Sequence, residues 1–326
     1  MTLVLTASQL ETLVDRPATI DAVARVFAEI ARGEASQPAP TSMYTPSDTG
    51  RYVLMSAVSD ETATAAVKLL ADVPENSARG LPTQRSTILV VGRRDGEPLA
   101  VLHGGVPTRV RTAAASAVAT RVLARPDSRV LGLVGAGNLA REHLLALRTV
   151  RDFERIVISS RTRERAEALA AEFADESIEV VDSVEDVFGL ADVVCTLTPS
   201  VHPLVRGEWL RPGQHLNVVG ARPRPDEREV DAATMARSSV WVDDRATAET
   251  KSGDLLLAVA ESGMALADVV GTIGEVIAHR ARGRASDEEI TLFDSVGIGA
   301  QDLAIADLLV DAARARGIGH EIDLAA

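Results

Sequence analysis

The 326 residues, 46% of them hydrophobic, can bury a sizeable core, and their number exceeds the usual single-domain range, so two domains are expected. A formal charge of −13 argues against the broad positive footprint that nucleic acid or an anionic membrane surface requires, which leaves a small molecule as the expected partner. Cys195 is the single cysteine, which excludes an intramolecular disulfide and any cysteine-based metal cluster.

The start, MTLVLTASQLETLVD, carries acids where a signal peptide carries basic residues, and no run approaches the roughly 18 apolar residues of a membrane span. A full-length cytoplasmic protein is therefore expected. Leu10, Leu13, Ile20, Val23, Val26, Phe27 and Ile30 recur at helical spacing up to Gly33, so this opening segment reads as helix. A polar, proline-containing stretch follows to about Gly50. From Tyr52 onward YVLMSAV, AAVKLLADV, STILVVG and PLAVLHG read as short strands of an antiparallel or mixed sheet. The alanine-rich segment from Thr108 to Ala124 predicts a helix with Thr108 as its N-cap.

Beyond Pro126 the pattern changes. VLGLV, RIVIS, IEVV, DVVCTL, HLNVVG and VWVDD alternate with helical segments, the signature of a parallel sheet covered on both faces. The expected architecture is α/β, with a doubly wound domain over residues 126–290 after a first domain over 1–125. The closing segment, 291–326, contains a glycine-rich turn and a helix with Leu303, Ala306, Val310 and Ala313 on one face, expected to return to the first domain.

Gly135-Ala136-Gly137-Asn138-Leu139-Ala140 matches G-x-G-x-x-G/A between a strand and a helix. Gly135 permits the turn, Gly137 lets backbone approach a pyrophosphate, and Ala140 allows close helix packing, so the phosphates sit at a helix N-terminus. The next strand ends in Ser159-Ser160-Arg161-Thr162-Arg163, with no acid for ribose hydroxyls. Ser160, Arg161 and Thr162 instead suit a 2′-phosphate, which predicts NADP(H) in preference to NAD(H); the alternative is a solvated basic turn.

Of the 34 basic residues only Lys68 and Lys251 are lysines, which singles each out. Lys68 lies in the apolar run AAVKLL, where a cation is costly without a partner; the alternative is a strand-end lysine in solvent. Arg111 falls in the first turn of its predicted helix, where guanidinium and dipole together favour an anion, or else it is a surface arginine. Six scattered histidines show no ligand spacing, so no metal site is expected. His103, in VLHGG, reads equally as an active-site neighbour or a turn residue, and Cys195 reads as a buried strand residue.

The run RTAAASAVATRVLARPDSRVLGLVGAGNLA, with ENSARGLPT upstream and SVGIGAQDLAIA near the end, resembles the ornithine cyclodeaminase/mu-crystallin family over nearly the whole chain. That resemblance implies a substrate and dimerisation domain built from both chain ends, a Rossmann domain between them, and a homodimer. By motif it implies that Lys68 and Arg111 hold the substrate carboxylate near the reacting centre, Arg111 also lying beside the nicotinamide. It places Thr83, Thr198, Val219, Gly220 and Ser295 near the cofactor and Val296 near the substrate.

Members of this family include cyclodeaminases, alanine dehydrogenases and ketimine or cyclic imino-acid reductases. The cyclodeaminases and several of the dehydrogenases carry an aspartate shortly after the fifth Rossmann strand, and here either Arg222 or Pro223 stands at that position. Asp226 and Glu227 would have to fold back to replace it. RPDEREVD instead resembles mu-crystallin-type ketimine reductases, while Ser42 aligns with a family arginine for the substrate carboxylate. The leading expectation is an NADPH-dependent reductase of a small imino acid. The alternatives are a cyclodeaminase or alanine-type dehydrogenase, and a non-catalytic NADPH-binding protein.

Overall fold

The computed structural model describes residues 1–44, 50–174 and 176–324. They divide into two compact units, one of Met1–Arg111 with Ile298–Ala326 and one of Thr112–Gly297. The divisions thus fall after residues 111 and 297, where the sequence suggests 125 and 290. Part of the polar stretch before Gly50 lies outside the described residues.

The first unit is built on a mixed eight-stranded sheet. Its main path runs His320–Ile322, Thr2–Leu5, Pro98–His103, Gln84–Gly92, Thr64–Asp72, Arg51–Ser59 and Ala35–Ser36, with Thr41–Met43 also pairing to Arg51–Ser59. Thr2–Leu5 and Pro98–His103 are parallel and the other pairs antiparallel. The chain therefore opens on a strand, not on the helix its apolar spacing suggests. Thr6 then caps a short helix, Ala7–Leu13, and Asp15 caps a second, Arg16–Arg32, which ends at Gly33 in the left-handed region. The helix Gly299–Arg316 packs on this second helix and on the central strands, burying Leu303, Ala306, Val310 and Ala313 as its periodicity requires.

The second unit carries an all-parallel eight-stranded sheet in the order Ile178–Val180, Arg155–Ser159, Val130–Val134, Val193–Thr196, His215–Val218, Thr291–Asp294, Ser239–Val242, Gly271–Thr272. The order reverses direction between Val130–Val134 and Val193–Thr196, which opens a crevice at their carboxyl ends. Two strands are new relative to the sequence pattern, the short edge strand Gly271–Thr272 and Thr291–Asp294. Thr291–Asp294 slots between His215–Val218 and Ser239–Val242, so residues 291–297 belong to this unit and not to a returning terminal segment. Its four residues are too short to announce themselves; only burial on both faces marks them as central.

Candidate functional site

Gly135 adopts φ +113, and its N–H donates to Ser159 O at 2.8 Å, tying the loop to the end of the neighbouring strand. A Cβ at Gly135 would meet Leu197 O at 3.0 Å, so glycine allows the two strand ends at the crevice to close on each other. Gly137 caps the helix Asn138–Leu147 with open space where a Cβ would stand. The first backbone N–H groups of that helix, at Asn138, Leu139 and Ala140, have no carbonyl in their own helix to meet. Loop, open glycine and helix start fit a dinucleotide pyrophosphate. Ser160, Arg161 and Thr162 follow the adjacent strand, where the Thr162 N–H donates to Ser160 Oγ at 3.4 Å. Arg163 is engaged by Glu167 and Asp182, whereas Arg161 is exposed and makes no ion pair among the described residues.

Glu229, which the sequence reading passes over, organises the crevice. Its fully buried carboxylate accepts from Thr196 Oγ1 at 2.7 Å, Thr198 N at 2.7 Å, Thr198 Oγ1 at 2.6 Å and Gly220 N at 2.7 Å. Burial pushes this carboxyl up while those donors oppose the shift. The expected cofactor residues Thr198 and Gly220 are thus held by one side chain. Val219, Ser295 and Val296 line a small pocket with Arg222, Asp254 and Asp294. Ser252 Oγ donates to Asp294 at 2.6 Å; burial raises both Asp254 and Asp294, and the Asp294 charge adds to the rise at Asp254.

Arg222 does not act as an acid-site substitute, because its Nε donates to Glu227 at 2.7 Å, and Arg224 takes the other Glu227 oxygen at 2.6 Å. Glu227 is therefore committed to two guanidinium groups, and Asp226 is exposed.

In the first unit Lys68 is buried, not a strand-end lysine in solvent. Its strand, Thr64–Asp72, pairs on both sides, with Met55 and Ile88 opposite Lys68. Nζ lies 2.7 Å from Asp302 Oδ2 and 3.4 Å from Thr108 Oγ1. Arg111 donates through Nε to Asp302 Oδ1 at 3.0 Å and through Nη1 to Gln301 Oε1 at 2.5 Å. Burial pulls Lys68 down to about 8; the Asp302 charge opposes this and the Arg111 charge adds to it.

The helix bearing Arg111 begins at Gly105, so Thr108 is inside it and not its N-cap, and Arg111 sits on its second turn. Arg111 thus lies past the helix start, beyond the first-turn dipole, and its partners are the side chains of Asp302 and Gln301. Gly299 brings Gln301 and Asp302 into place: a Cβ there would lie 2.4 Å from Ser56 O, so only glycine lets the helix start press on the sheet backbone.

The other candidates have partners of their own. Thr83 is exposed, and its carbonyl accepts from Val73 N at 2.8 Å. Ser42 pairs in register with Val53. His103 is exposed and accepts from Gly105 N at 3.3 Å, a turn role. Cys195 is buried, with its thiol pushed up to about 12 by burial. Among the described residues no group of three or more His, Cys, Asp or Glu side chains is arranged to hold a metal, and no helix is long and apolar enough to cross a membrane.

Against known proteins, residues 1–317 match the ornithine cyclodeaminase/mu-crystallin family. Ketimine reductase mu-crystallin of Mus musculus is 35% identical over 292 residues, 90% of each chain. Among solved structures, Δ1-pyrroline-2-carboxylate reductase of Thermococcus litoralis in complex with NADH and L-proline superposes with a TM-score of 0.93 at 32% identity, covering 98% of this chain and 100% of that one. An archaeal alanine dehydrogenase dimer with bound NAD gives 0.94 at 33% identity, covering 99% of each. With a family match over 317 residues and full-length relatives at these identities, the chain belongs to the ornithine cyclodeaminase/mu-crystallin family.

Proposed function

We propose that this protein is an NAD(P)H-dependent oxidoreductase that reduces the C=N bond of a small imino acid. The observation that carries the reading is the charge of the buried cluster: two cations, Lys68 and Arg111, face one carboxylate, Asp302. Buried charge without a counter-charge is unfavourable, and a substrate with one carboxylate completes the balance. Arg111 and Lys68 then bind and orient that carboxylate. When bound, the nicotinamide supplies the hydride that goes to the imine carbon. The nitrogen takes its proton from water or from Lys68, whose pKa of about 8 lets it give up a proton near neutrality.

NADP(H) is the expected form, because Arg161 is the uncommitted guanidinium at the turn where a 2′-phosphate would lie. Thr83, Val219, Ser295 and Val296 are retained as cofactor and substrate neighbours on the family resemblance. A homodimer is supported by the sheet face opposite Lys68, where Leu54, Val67, Leu69, Leu89 and Val101 leave an apolar surface at least partly open. The test is a panel of cyclic and acyclic imino acids with NADPH and NADH, with product identification. Absence of turnover on every imine would overturn the reading and favour a non-catalytic binding protein. A second reading, favoured by the 33% identity to alanine dehydrogenase, is oxidation of an amino acid; the same panel run with amino acids and NAD(P) separates the two. Cyclodeamination of ornithine or lysine is not expected, because Glu227 is engaged and Asp226 is exposed.

A further inference from the structure

The Lys68 and Arg111 cluster contains one buried donor with neither a hydrogen-bond nor an ion-pair partner among the described residues. Gln301 is fully buried on the first turn of the helix Gly299–Arg316. Its Oε1 lies 2.5 Å from Arg111 Nη1. A guanidinium only donates, so the amide oxygen must face it, and this fixes Nε2 on the other side of the amide. Nε2 is buried and has no hydrogen-bond partner among the described residues.

The surroundings sharpen the point. Both oxygens of Asp302 are already engaged, one by Arg111 Nε and one by Lys68 Nζ. Lys68 and Arg111 share that single anion, and the Gln301 amide, bonded to Arg111 through its oxygen, adds a donor without an acceptor. The cluster is short of an acceptor, and a planar carboxylate can take parallel N–H donors from neighbouring groups.

We propose that Gln301 is a substrate-binding residue whose Nε2 donates to the imino-acid carboxylate held by Arg111 and Lys68, with Asp302 as the cluster's internal counter-ion. The proposal rests on the reading of that cluster as the carboxylate site. It also explains why a glutamine is buried here at all: its oxygen fixes Arg111 and its nitrogen serves the ligand.

The competing account is that Gln301 only anchors Arg111, and a double-mutant cycle separates the two. Gln301→Met, Arg111→Met and the double variant of the full chain are assayed with Δ1-pyrroline-2-carboxylate as probe at saturating NAD(P)H, with the nucleotide Kd measured in parallel. Gln301→Met should raise KM about 10-fold or more with nucleotide Kd unchanged. A further loss in kcat/KM should persist when Arg111 is already methionine. An anchor acts only through Arg111, so a Gln301→Met effect that vanishes in the Arg111→Met background would overturn the proposal, as would a wild-type KM in the single variant. Should Gln301→Met fail to fold, Gln301→Glu keeps the acceptor for Arg111 and removes the donor; a raised KM supports the proposal and an unchanged one defeats it. A wild type inactive on every imine of the panel overturns the underlying reading and the proposal with it.

Discussion

Glu229 and Asp302 are both buried carboxylates, one in each unit, and they are neutralised in opposite ways. Glu229 meets four neutral donors, two of them backbone N–H groups, and no cation among the described residues. Asp302 meets two cationic side chains. Backbone donors cannot leave, so Glu229 acts as scaffold and stiffens the strand ends that present Thr198 and Gly220. Side-chain cations can be shared with a second anion, which is the role the proposed carboxylate site gives to the pair around Asp302. Burial alone therefore does not distinguish the two carboxylates; the identity of their donors does.

The largest expected effect lies on the cationic side. Lys68→Ala and Arg111→Ala should each lower kcat/KM by about 10²-fold or more, since each removes a charge-assisted contact to the ligand, while the urea midpoint moves little. Near-wild-type turnover in either folded variant would break the contrast.

The scaffold side should respond through the nucleotide. Arg161→Ala is expected to weaken NADPH by roughly 1.5–3 kcal/mol and leave NADH unaffected, as titration of both nucleotides would show. Equal weakening of both would return Arg161 to a solvated surface role. Glu229→Gln places an amide N–H against a backbone N–H of Thr198 or Gly220, so it should weaken both nucleotides about equally, by roughly 10-fold, and lower the unfolding midpoint. A variant that keeps nucleotide affinity but loses imino-acid KM would reverse the roles assigned to the two carboxylates.

The smallest effect is in the pH profile. Lys68 titrates near 8 in the folded chain against an ordinary 10.5, so its charge is present below about 8 and fades above it. Imino-acid KM should therefore rise as pH climbs through 8, and Lys68→Arg should move that rise to higher pH. For stability the sign is opposite. Between about 8 and 10.5 the unfolded chain binds the extra proton, so this group's contribution favours folding more as pH increases through that window. A KM flat across pH 7 to 9 would mean that the Lys68 charge does not serve the substrate.

Much of the fold is legible in short stretches of sequence, where local rules are enough. Alternating apolar strands and helices specify the doubly wound unit, and Gly135, Gly137 and Ala140 specify a nucleotide loop, because turn geometry and helix-start chemistry act over a few residues. Lys68 stood out as a cation in an apolar strand for the same reason. The rest depends on long-range packing. Thr2–Leu5 becomes a strand through pairing with Pro98–His103, 97 residues away in register, and Thr291–Asp294 becomes a central strand by slotting between two earlier ones. Gln301 and Asp302 are ordinary first-turn residues until Gly299 seats their helix on the sheet backbone, 191 residues along the chain from Arg111. Which donors reach a buried carboxylate depends on contacts between distant segments, and no local pattern in the sequence encodes that.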